Sequence, residues 1–230
     1  MTDRQKTGIP GLDDLLEGGF PKGATILLRG APGVGKSTFC SQFMQQGLEE
    51  DQGGLFIALD DAPDDVLDNA RSFGWDFMEH EDKFVFMDAY SWRLGEEVEG
   101  KYAIQGPSDL NQINMTLTDA LRDVGDIEKR MVIDSVSTLI LYTDKDSAAK
   151  FLQVVSAKTK ANNGVLLLTV EEGVQDEEAI STLNYVADGV IRFEMEGDTR
   201  KLVVSRMSRT SHERDWHEFE ITDDGLEVVE

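Results

Sequence analysis

The plainest chemistry in this 230-residue sequence lies near its start. Gly30, Ala31, Pro32, Gly33, Val34, Gly35, Lys36 and Ser37 match the spacing G-x-x-x-x-G-K-[ST] in full, and Thr38 stands one step further on. Glycines so placed let the backbone turn until several N–H groups converge on phosphate oxygens. The start of a following helix adds partial positive charge. The Lys36 ammonium then reaches the terminal phosphates of a nucleoside triphosphate, and the Ser37 hydroxyl is a ligand for the accompanying Mg²⁺. Such a metal calls for an acid at the end of a neighbouring strand. Asp134 closes the apolar run "RMVID", and an aspartate at the carboxyl end of a buried parallel strand points into the ligand crevice of an open α/β sheet. Its expected role is to hold a water on the metal.

These residues need a strand before the loop and a helix after it, and the flanking pattern supplies both. "ATILLRG" (24–30) reads as a buried strand, and the helix that follows should run through about Leu48. Further strands are expected at 53–60, 83–90, 129–136 and 164–171. Between them, helices are expected from Pro63 to a Gly74 stop, over 108–125 and over 146–163. Strands alternating with helices at this spacing argue a parallel sheet covered on both faces. After about Asp188 the rhythm becomes period-two with a turn at "EGDT", which predicts an antiparallel meander on one sheet edge. Residues 91–107 look like an irregular excursion, either a partner-binding loop or an unstructured insertion. The fold class is therefore α/β, in a single domain over 1–230 with its parallel core at about 24–187.

Asp and Glu number 45 against 22 Lys and Arg, a net charge of −23. That is about one uncompensated negative charge in every ten residues, and the acids are scattered rather than gathered in a tail. Such a chain repels itself in dilute buffer. Molar salt, with a screening length of roughly 3 Å, removes most of that penalty. The composition thus points to an acidic solvated surface suited to a high-salt cytoplasm, and it opposes nucleic-acid binding. No apolar run reaches eighteen residues, so no membrane insertion is expected. The amino-terminal stretch has no apolar core of a secretory signal, and the lone Cys40 can form no internal disulfide. A cytoplasmic protein fits these features. Cys40 and Trp75 read as core residues. His80, His212 and His217 are too dispersed for metal-ligand spacing.

"TGIPGLDDLLEGGFPKGATILLRGAPGVGKST", "DDAPDDVLDNARSFGWDF", "VIDSVSTL" and "RTSH" together resemble the KaiC-like branch of the RecA-type ATPases, over nearly the whole chain. The acidic composition is similar to that of single-domain haloarchaeal members. The resemblance implies a RecA-like fold with a twisted, mainly parallel sheet. It also implies ATP with Mg²⁺ bound between subunits, and a homo-oligomeric ring, often hexameric, with a protein partner of unknown kind. Where the family commonly carries paired glutamates, one of them a base positioning the attacking water, this chain has Asp60 and Asp61. Their shorter side chains imply slow hydrolysis, since a misplacement of about 1 Å can cost roughly a hundredfold in rate. Where the family often presents K-x-R-G-T-x-H, whose cations reach the γ-phosphate on the next subunit, Arg206 takes the lysine position, Ser208 the arginine position and Arg209 the glycine position. Thr169 and Glu171 fall where RecA-type proteins often place a polar γ-phosphate sensor. Lys36, Asp60, Asp61 and Arg206 are the catalytic candidates, and loop 30–38 the nucleotide ligand. Two further readings stay open: a nucleotide-dependent assembly switch with little hydrolysis, and a recombinase-like DNA protein. The family also implies an autokinase option, for which this sequence marks no acceptor.

Overall fold

The computed structural model describes residues 3–95 and 98–229. Two short strands, β1 (Arg4–Gln5) and β2 (Phe20–Pro21), pair antiparallel around helix α1 (Leu12–Leu15). There follow β3 (Thr25–Gly30), α2 (Lys36–Glu49), β4 (Gly53–Ala58), α3 (Pro63–Ser72), β5 (Phe84–Asp88), α4 (Leu110–Asp123), β6 (Lys129–Asp134), α5 (Val136–Tyr142), α6 (Lys145–Ala161), β7 (Val165–Glu171) and α7 (Glu177–Val186). Strands β8 (Gly189–Glu196), β9 (Thr199–Met207), β10 (His217–Thr222) and β11 (Gly225–Val228) complete the order.

A nine-stranded sheet runs β11-β10-β9-β8-β3-β7-β6-β4-β5. Its central strands are buried on both faces and therefore apolar throughout. Along β3 the pleat sends Ile26 and Leu28 to one layer and Leu27 to the other. The first layer packs α2 through Phe39, Phe43 and Met44 against Phe56, Phe193 and Phe219. The second packs Leu117 of α4, Leu152 of α6 and Leu183 of α7 against Ile57, Ile133 and Leu168. Arg130 of β6 lies wholly inside, donating to the carbonyls of Lys6 and Phe43 and to Gln52 Oε1 at 2.7–2.8 Å. Burial lowers its pKa to about 10, far enough above neutral to keep it charged.

The structure moves the boundary between parallel core and meander. β8 pairs parallel with β3, Ile26 opposite Gly189 through Arg29 opposite Arg192, so the antiparallel part begins only at β9. Period-two alternation looks the same in an edge strand of either sense, and the sequence reading had no helix to carry the crossover. That helix is α7. Asp176 caps it by accepting from Ala179 N at 2.7 Å, and Glu177 and Glu178 complement its dipole. The strand expected over 129–136 stops at Asp134, because Ser135 caps α5, which starts at once. Part of the 91–107 excursion is ordered by a 3₁₀ turn at Ser91–Leu94 and a bridge from Asp88 to Ala103; residues 96 and 97 lie outside the described residues. No helix among the described residues is long and apolar enough to cross a membrane.

Candidate nucleotide site

The strand order sets the carboxyl ends of β3, β7, β6 and β4 side by side, and the candidate residues stand on those ends. Loop 31–35 links β3 to α2. Gly33 and Gly35 hold φ of 76° and 115°, backbone that a side chain strains. A Cβ at Gly35 would also lie 2.9 Å from Ile221 Cδ1. The turn leaves Lys36 at the first position of α2, 4% exposed. Its ammonium donates to the carbonyls of Gly30 at 2.9 Å and Ala31 at 2.8 Å, and pairs with Glu171 Oε1 at 3.0 Å. A buried ammonium needs such partners; here the loop's own acceptors and one carboxylate hold it where phosphate oxygens would compete.

Asp134 is buried at the end of β6 and accepts from Thr169 Oγ1 at 2.5 Å. Burial pushes its carboxyl above the usual aspartate range. Hydrogen bonds from Thr169 and Ser37 oppose that push, while the charges of Asp60 and Asp61 add to it. Ser37 at the start of α2 and Asp134 at the end of β6 thus both face the crevice, near enough for the hydroxyl to act on the carboxyl. Among the described residues, no group of three or more His, Cys, Asp or Glu converges as a metal centre.

Asp60 and Asp61 follow β4. The Thr138 hydroxyl of α5 donates to Asp60 Oδ1 and fixes that carboxylate. Asp61 lies at the surface. Its pKa is raised first by the protein packed around the carboxyl, then by Asp60 and Asp65, with Arg93 opposing. The structure thus gathers loop 30–38, Asp60, Asp61, Asp134, Thr169 and Glu171 into one crevice.

It does not bring Arg206 there. Arg206 stands opposite Val190, which is level with Leu27 on β3, roughly 10 Å down the strands from Gly30. Its guanidinium donates to the carbonyls of Asn184 at 2.7 Å and Ala187 at 2.6 Å, at the end of α7. Arg209 takes the glycine's place with a left-handed φ of 60° and turns back to Lys22 O at 3.2 Å. One residue that sequence reading missed controls this loop. Arg4 donates to Thr210 Oγ1 at 2.9 Å, to Arg209 O at 3.1 Å and to Gly19 O at 3.0 Å, and pairs with Glu17. Thr138 was missed as well. Arg4 belongs to none of the quoted stretches, and Thr138, although it lies within "VIDSVSTL", was given no role there.

A phosphate loop between β3 and α2, a strand acid two strands away, and a parallel sheet extended by antiparallel strands define a RecA-like P-loop fold. The family described as "ATPase: KaiC" matches residues 5–230, and the chain belongs to it. It is 38% identical to a UPF0273 protein of Aeropyrum pernix over 99% of its own length and 94% of that protein's. It is 36% identical to a UPF0273 protein of Thermotoga maritima over 99% and 96%. The crystal structure of a KaiC-like protein from Pyrococcus horikoshii superposes with a TM-score of 0.81 at 28% identity, covering all of both chains.

Proposed function

We propose that this chain is a regulatory ATPase that binds Mg-ATP on residues 30–38 and turns it over slowly between the subunits of a ring, in a salt-rich archaeal cytoplasm. The observation that carries the reading is the seat of Lys36. It is a buried ammonium under a glycine loop at a helix start, paired with an acid that a triphosphate can replace. Bound magnesium would draw charge off the terminal phosphates. The loop amides and Lys36 hold the β- and γ-phosphates, Ser37 and Asp134 place the cation, and Asp60, fixed by Thr138, with Asp61 orients the attacking water. Arg206 closes the site of a neighbouring subunit, since its own lies beyond reach.

A second reading, a nucleotide-dependent switch with little hydrolysis, is favoured by two observations. The acidic pair is aspartate, and Arg206 and Arg209 are both spent on carbonyls of their own chain. A DNA role is opposed by the net charge of −23.

The test is to incubate the protein in molar KCl with Mg-ATP, following mass by light scattering and phosphate release together. Release that disappears in Lys36→Ala supports the ATPase, and a change of mass without release supports the switch. No nucleotide uptake by calorimetry in the same buffer overturns both.

A further inference from the structure

Strand β9 ends at Met207 and β10 begins at His217, and the bend between them belongs to no strand or helix. Its start is held by side chains. Arg209, at a left-handed φ of 60°, donates to Lys22 O at 3.2 Å. Arg4, whose side chain is only 11% exposed, does more. Its Nη1 donates to Gly19 O at 3.0 Å and to Thr210 Oγ1 at 2.9 Å. Its Nη2 donates to Glu17 Oε2 at 2.5 Å and to Arg209 O at 3.1 Å. Each nitrogen thus reaches one acceptor on the segment before β2 and one on the bend. A planar fork can fix four acceptors in this way, and a single ammonium cannot. The segment is shaped to receive it. At Gly19, with φ of 118°, a Cβ would lie 2.2 Å from Gln5 O, so a side chain there would push the segment off β1 and its carbonyl away from Arg4.

The element that carries Arg4 has little freedom of its own. β1 pairs with β2, Arg4 opposite Pro21, and Lys22 N donates to Asp3 O at 2.9 Å. Ile9, Leu12, Leu16 and Phe20 lie in the same core layer as Phe39 and Phe43 of α2, and Gln42 of α2 donates to Gly8 O at 2.9 Å. The amino-terminal unit is thus fastened along the flank of the helix that starts at Lys36. From this fixed base Arg4 reaches across to the bend. Arg206 stands just ahead of that bend, and Ser208 and Arg209 open it. This is the stretch that the reading above carries to the site of a neighbouring subunit. An unheld bend would have to be ordered anew for each turnover. A misplacement of about 1 Å at a reacting centre can cost roughly a hundredfold in rate.

We infer that Arg4 is a positioning residue for ATP turnover in a neighbouring subunit, which it serves by holding the bend at residues 208–212 in one shape. Arg4 touches no nucleotide itself, and its effect passes wholly through Arg209 and Thr210. Its role rests on the slow ATPase and the ring proposed above, and it adds the group that keeps the reaching stretch in place.

The test reads phosphate release as kcat and KM for ATP, ATP uptake by calorimetry and mass by light scattering, all in molar KCl with Mg²⁺. Arg4→Ala is expected to lower kcat at least tenfold while KM, uptake and mass stay as in the parent. Arg4→Lys keeps a cation beside Glu17 but not the fork. It should show the same split, and it carries the test if alanine unfolds the first strand. The deciding measurement mixes Arg4→Ala in equal amounts with a chain carrying Asp60→Asn and Asp61→Asn, which has an intact bend and phosphate loop but no acids to orient water. In a head-to-tail ring, half of the Arg4→Ala sites then face an intact bend, so release per Arg4→Ala chain should rise about fivefold. No rise overturns the role of Arg4. So does a variant that turns over like the parent, a folded variant that loses uptake or mass together with turnover, or the unfolding of both variants. The ATPase reading survives each of these results. A parent chain that binds ATP and releases no phosphate removes that reading, and the role of Arg4 with it.

Discussion

Glu171→Gln separates holding Lys36 in reserve from holding nucleotide. In the free chain Lys36 has three acceptors: two loop carbonyls and, at 3.0 Å, the Glu171 carboxylate. Only the carboxylate is charged, and with Lys36 almost wholly buried the pair is little screened. A hydrogen bond to a charged group contributes about 1.5–3 kcal/mol. Taking about 1.5 kcal/mol for the charge removed, the nucleotide-free variant should melt roughly 3–6 °C lower, at 2–4 °C per kcal/mol for a chain of this size. The same energy no longer opposes the triphosphate, so Mg-ATP should bind about tenfold tighter. Titration calorimetry of parent and variant in molar KCl reads the second effect, and thermal unfolding without nucleotide reads the first. Weaker ATP binding by the variant would refute the reasoning, because it would place Glu171 among the groups that grip the ligand.

Three further outcomes follow from the same geometry. Asp134 has a folded pKa above its unfolded one, so the nucleotide-free fold binds its proton more tightly and loses stability as pH rises from the ordinary aspartate value to the raised one. Asp134→Asn should therefore melt higher than the parent at pH 7 without nucleotide, while its ATP affinity loses most of its magnesium dependence; a lower melting temperature counts against this. Gly35→Ala places a methyl 2.9 Å from Ile221 Cδ1 on a backbone with φ of 115°, and should cost about 1–3 kcal/mol in denaturant unfolding together with most of the ATP affinity. Dialysis from molar KCl to low-salt buffer should abolish near-ultraviolet circular dichroism below a few tenths molar, and a cooperative melt retained there would contradict the reading of the −23 charge.

What was legible in the sequence is what local chemistry dictates. The loop from Gly30 to Ser37 and the strand-end Asp134 could be located because the roles expected of them fix both residue type and spacing. Most helix and strand bounds followed from caps, glycine stops and apolar runs. What stayed hidden depends on partners far apart in the chain. Neither the pairing of β8 with β3 nor the hold of Arg4 on Thr210, 206 positions away, leaves any periodic trace. Thr169 and Glu171 stand at the end of β7, the strand end read for them in the sequence, but which one meets Asp134 and which meets Lys36 is settled by the side a strand residue faces and by its neighbours in register. Arg209 shows the limit of motif arithmetic. A cation standing beside a functional position looks available in the sequence, yet its backbone is left-handed and its guanidinium, still exposed, donates to the Lys22 carbonyl of its own chain.

The grip of Arg4 reaches beyond local order. It makes the opening strand a splint for residues 209 and 210, so the bend after β9 is set by an amino acid at the far end of the polypeptide. Grafting that bend from a relative without its matching first strand would transplant the letters and leave the shape behind. Fusing a bulky tag directly ahead of residue 4 would load the same splint, and preparations tagged at opposite ends are two different starting materials for any comparison of turnover.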